Sequence, residues 1–89
     1  MADARLVSRI LVLLEAQGSL EYDEVAAQLD EPPDAIRETL SRLRGLGLVK
    51  AGRALEELEA HAVRPASRWR LTVEGREKLV ELRAAGRAP

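Results

Sequence analysis

The side chains that could do chemistry in this chain are charged ones. There is no cysteine and a single histidine, His61. That leaves no thiolate metal site, no disulfide framework and no histidine cluster. Glu56, Glu57 and Glu59 lie close together, yet without a metal-binding neighbour they read as the solvated face of a helix. No serine or threonine has a nearby base with an orienting partner, and no glycine-rich phosphate loop follows a strand. The expectation is therefore no catalysis, no cofactor and no metal. The remaining chemistry is anion recognition. From residue 21 to 38 there are seven acids and one base, Arg37. From residue 39 to 53 there are four bases, Arg42, Arg44, Lys50 and Arg53, and no acid. Arg64, Arg68 and Arg70 form a second acid-free basic group. The net charge of −1 hides this segregation, and a partner meets the local field. Arginine forks match phosphate geometry, so these seven bases are the candidate phosphate contacts.

The elements that must position them follow from periodicity. Residues 4–16 read as a helix, with Leu6, Ile10, Leu13 and Leu14 on one side and Gly18 ending it. Ser19 and Leu20 suit a short strand. Asp23 is expected to cap a second helix, with Tyr22 just before the cap and Val25, Ala26 and Leu29 inward. Pro32 and Pro33 interrupt the pattern, and Pro33 or Asp34 opens a third helix. Ile36, Leu40 and Leu43 form its buried stripe, which Leu46 would extend; Gly47 stops it. Residues 48–50 leave as a strand. Residues 51–66 are ambiguous: the stretch 54–61 has helix formers, where a hairpin is the alternative. Residues 67–71 alternate as a strand, with Arg68 and Arg70 on one face and Trp69 and Leu71 on the other. Thr72 caps a last helix, with Leu79 and Leu82 inward. Gly75 weakens that helix and so hints at close packing. The tail from about residue 84 is expected to fray.

Two stretches together resemble the winged-helix transcriptional regulators, and loosely those that sense metals or small aromatic compounds. One is DEVAAQLDEPPDAIRETLSRLRGLGLVK at residues 23–50, with its small residue in the second helix and its glycine-leucine-valine end. The other is WRLTVEGREKL at residues 69–79, which is similar to the leucine-threonine-x2-glycine pattern after the wing. The resemblance implies one mostly helical domain with a small β-hairpin, a winged helix-turn-helix over residues 1–89. It implies double-stranded DNA as partner, read by the third helix in the major groove. Carried over by position, the base-reading residues are Pro33, Asp34, Ala35, Arg37, Glu38 and Ser41. Pro32 departs from the pattern, replacing the serine or threonine that often caps the third helix. Asp34 and Glu38 also depart from it, placing negative charge where phosphates approach. The alternative expectation is a winged-helix module that binds protein in a larger assembly.

Val7 and Leu11 widen the apolar stripe of the first helix, and Val80 does the same for the last. These three are the expected homodimer interface. The longest apolar run, residues 10–14, is too short to span a membrane, which suggests a cytoplasmic location. His61 is expected at the surface and Trp69 in the core.

Overall fold

The computed structural model describes residues 4–53 and 67–89, with Arg53 and Ser67 described in their backbone only. Helix α1 runs Ala4–Gln17, strand β1 Ser19–Glu21, α2 Tyr22–Leu29, α3 Pro33–Gly45, β2 Val49–Arg53, β3 Ser67–Leu71 and α4 Val73–Ala84. The strands form an antiparallel sheet in the order β1-β3-β2. The ambiguous stretch 54–66, with Leu55, Leu58, His61 and Arg64, lies outside the described residues.

Each boundary has a local cause. Gly18 adopts φ of +86°, and its N–H reaches the Leu14 carbonyl at 2.8 Å, which closes α1. Helix α2 starts at Tyr22, two residues earlier than a cap at Asp23 would place it. Its N-cap is Glu21, whose N–H donates to Glu24 Oε1 at 2.9 Å. Asp23 is inside the helix and accepts only from the adjacent Glu24 N–H. Glu24 wins because its longer side chain can reach back across the turn, as in a capping box. At the other end Asp30 turns left-handed, and Glu31 N–H bonds the Ala26 carbonyl. Arg9 adds a bond from Nη2 to the Leu29 carbonyl at 2.7 Å and an ion pair to Glu31. A cation thus caps the negative end of α2.

Pro32 is extended and makes no side-chain cap, and Pro33 opens α3. Ile36, Leu40 and Leu43 are buried as expected, joined by Thr39, whose hydroxyl donates to the Ala35 carbonyl at 2.8 Å. Leu46 does not extend the stripe. The helix ends at Gly45, the chain turns through Gly47 at φ +77°, and Leu46 is left 71% exposed.

The core lies between α1, α2, α3, α4 and one face of the sheet. Leu20, Trp69 and Leu71 supply the sheet's side, while Ile10, Leu11, Leu14, Val25, Leu40 and Leu79 fill the middle. Thr72 joins three elements. Its hydroxyl accepts from Gly75 N–H at 3.0 Å and donates to the Gly47 carbonyl at 2.6 Å. Beyond Ala84 the chain folds back on α4. Gly86 turns left-handed, Arg87 N–H bonds the Leu82 carbonyl at 2.7 Å, and Arg83 Nε bonds the Pro89 carbonyl at 2.8 Å. The left-handed glycine lets the tail satisfy the last helix carbonyls, and Ala88 packs on the core.

Arg83 also grips Glu15 with both ends of its fork, at 2.7 and 3.2 Å, and so ties α4 to α1. That hydrogen bonding holds the Glu15 carboxyl below its ordinary value of 4.5, with the charge of Arg76 assisting. It raises Arg83 in turn. The folded carboxyl is more acidic than the unfolded one. The pair's stabilisation is therefore complete above the unfolded value and is lost as pH falls through the folded one. Thermal melts of the protein and of Glu15→Gln should differ most at neutral pH and converge in acid. A gap that stays constant down through the carboxylate range would contradict this.

Candidate nucleic-acid interface

Helices α2 and α3 are joined by the residues 30–32 alone, so they pack as a helix-turn-helix. Their shared apolar side, built from Val25, Ala26, Ile36 and Leu40, is hidden. What α3 shows outward follows from its 3.6-residue repeat. Pro33, Asp34, Arg37, Glu38, Ser41, Arg42 and Arg44 are exposed, whereas Ala35 is half-buried and turned partly toward the body. Of the base-reading set, Ala35 is therefore the poorest contact.

The exposed charges are not all loose. Arg42 pairs with Glu38 one turn earlier at 3.2 Å, which cancels part of the helix's negative start. Arg37 turns toward α2. Its guanidinium carbon sits 4.8 Å from the centre of the Tyr22 ring, and Nη2 donates to the Tyr22 hydroxyl at 2.9 Å. Sequence reading gave Tyr22 a packing role and missed this contact. The signal in the sequence was an aromatic residue at the head of one helix and, on the next, the one base among residues 21–38.

The sheet's two faces separate cleanly. Leu20, Trp69 and Ala51 are register partners on the core side. On the outer side, Ser19, Arg70 and Lys50 form one row and Glu21, Arg68 and Gly52 the next. Arg70 and Lys50 are thus directly opposed like charges, both exposed. Such a pairing is unfavourable by a few tenths of a kcal/mol up to about 1 kcal/mol. Neither has an ion pair among the described residues. Arg68 differs, since Nε bonds Ser19 Oγ at 3.2 Å and Nη2 bonds the Ser19 carbonyl at 3.1 Å. It serves β1–β3 cohesion first. Ser19 was not singled out from sequence, because a cross-strand partner 49 residues away leaves no local trace. Of the phosphate-contact set, Lys50 and Arg70 lie together on the sheet, Arg42 and Arg44 lie along the end of α3, Arg68 is bonded to Ser19, and Arg64 is outside the described residues. Of Arg53 only the backbone is described.

The expected dimer residues do not form one patch. Leu11 is 0% exposed and belongs to the core, because α1 is packed on more than one side. It is not available to a partner. Val80 is 64% exposed, and Val7 is half-buried. Val7 lines a cleft of about 710 Å³ between the start of α1 and the end of α4, with Arg5, Lys78, Leu82 and Arg87 around it. Among the described residues no group of three or more His, Cys, Asp or Glu is placed to hold a metal. No helix there is long and apolar enough to cross a membrane.

A helix-turn-helix followed by an antiparallel β2–β3 pair and backed by a third strand defines the class: this is a winged-helix domain. Solved structures agree. The Bacillus subtilis YusO protein superposes with a TM-score of 0.73 and 27% identity, over 94% of this chain and 53% of that one. Lactococcus lactis ZitR, as an apo mutant, gives a TM-score of 0.73 with 23% identity, over 91% of this chain and 56% of that one. A protein from Silicibacter pomeroyi described as a MarR family transcriptional regulator gives 0.71 and 23%, over 86% of this chain and 48% of that one. This chain spans about half the length of each of these proteins. No family model matches the chain, and no curated protein matches it.

Proposed function

We propose that the chain is the DNA-binding part of a sequence-specific transcriptional regulator that acts as a homodimer in the cytoplasm, without catalysis, cofactor or metal. The observation that carries this reading is the exposed Lys50–Arg70 pair on a winged-helix sheet. A bound phosphate would turn that repulsion into two favourable contacts. The sheet bases, with Arg42, Arg44, Arg68 and the bases at 53 and 64, hold the backbone. Arg37, Glu38, Ser41 and the helix start at Pro33 and Asp34 meet base edges, with Ala35 at the margin. Glu38 can accept a hydrogen bond from a cytosine amine. The fold shared with the MarR family regulator of Silicibacter pomeroyi supports the same reading.

Binding to random-sequence duplexes at rising salt tests it. The affinity should fall steeply with salt, and Lys50→Ala and Arg70→Ala should each lower the slope of log affinity against log salt by about 1 on every sequence. No binding by micromolar protein at low salt would sink the reading. The alternative, a protein-binding module, draws on the acid-rich face of α2, where Asp23 and Glu24 crowd the first turn. It would show itself as a partner that stays bound after nuclease treatment.

A further inference from the structure

We propose that Tyr22 is a positioning residue for base preference: its ring holds the Arg37 guanidinium so that the rest of the fork is presented to a guanine edge. This rests on the DNA-binding reading above. Arg37 sits in the most acidic part of the chain, with Asp34 three residues before it and Glu38 next to it. Even so, it has no ion pair among the described residues. Its contacts are the face of the Tyr22 ring and the ring's hydroxyl. A guanidinium carries five N–H donors, and this arrangement uses one of them, on Nη2. Nη2 keeps its second hydrogen, so one of the two flat bidentate edges, which pair Nη2 with Nε or with Nη1, is left whole for guanine O6 and N7.

The ring does what solvent cannot. A free arginine loses rotamer freedom when it docks, so prior restraint favours the one geometry that reads the base. Tyr22 is itself anchored, since it opens α2 and packs half-buried against the core. The packing of α2 on α3 is therefore transmitted to the tip of Arg37. Glu21, Asp23 and Glu24 surround Tyr22 in sequence and would repel a phosphate at this place. A base edge has no net charge and meets no such repulsion. That asymmetry assigns Arg37 and Tyr22 to base reading and leaves backbone contact to the sheet row.

The test is enrichment of the full chain and its variants on a pool of random-sequence duplexes, with salt dependence measured on the enriched sequence. Thermal melts check that each variant folds. Arg37→Ala should reduce the guanine preference at one position by roughly tenfold. Tyr22→Leu should reduce it by roughly two- to fivefold and leave the salt slope unchanged. Tyr22→Phe, which keeps the ring, should retain more preference than Tyr22→Leu. The double variant Tyr22→Leu with Arg37→Ala should be no worse than Arg37→Ala alone, since the ring acts only through the arginine. The proposal is overturned if Tyr22→Leu weakens all sequences equally, leaves the preference intact, or adds fully to Arg37→Ala. A wild-type chain that binds no duplex fails at an earlier step and removes the DNA-binding reading along with this one.

Discussion

Gly75→Ala is expected to destabilise the domain by about 3 kcal/mol, near the upper end of what overpacking costs. Intrinsic helix propensity argues the other way, since alanine in place of glycine inside a helix gains up to about 1 kcal/mol. The tertiary contact decides the sign. A Cβ built on Gly75 would fall far inside van der Waals contact with the carbonyl oxygen of Leu48, and 3.3 Å from Leu71 Cδ2. The Leu48 oxygen cannot yield cheaply. It belongs to the backbone and already accepts the Thr72 N–H at 3.1 Å. Moving it disturbs the Thr72 cap and, through the Thr72–Gly47 bond, the turn after α3. A loss of this size should lower the melting temperature of a domain this small by roughly 12–24 °C. Urea unfolding of the two proteins measures it. An unchanged or raised midpoint would mean that α4 does not press on the turn before β2.

Leu11→Ala is the second large effect. Leu11 is fully enclosed, so truncation removes buried methyl groups and leaves a cavity, at a cost of about 2–5 kcal/mol. Val80→Ala, by contrast, should change stability by less than about 0.5 kcal/mol, because that side chain is exposed. If the chain dimerises as proposed, Val80→Ala acts on association, visible as a change in solution mass with concentration. The pair of variants separates two residues that read alike as surplus apolar positions on helices. Equal, small losses of stability in both would return Leu11 to the surface.

The reason Leu11 misled is instructive. The hydrophobic pattern of α1 reports how many faces are apolar, but not whether the chain itself or a second copy covers them. Here α1 meets α2, α3, α4, β1 and β3, so a wide stripe is consumed within the chain. Leu46 is the opposite case. Its spacing matches the α3 stripe, yet the helix ends one residue earlier and the turn carries Leu46 out. Period alone does not know where a helix stops. Much of the candidate interface was legible, because the outward positions of α3 follow once its buried Ile36, Leu40 and Leu43 are recognised. The condition of those side chains was not legible. That Arg37 rests on Tyr22, Arg42 on Glu38 and Arg68 on Ser19 depends on how separate elements meet.

What the amino-acid order determined by itself is the set of local choices. Pro33 begins a helix, Thr72 caps one, Gly18 and Gly47 end two, and alternation puts Arg68 and Arg70 opposite Trp69 and Leu71. These choices need only the geometry of a few adjacent residues. The tertiary structure alone decided the strand order, the facing of Lys50 and Arg70, the burial of Leu11 and the return of the tail onto the last helix. Those features join positions far apart in the chain, and packing selects among them because every apolar face must be covered and every buried polar group paired.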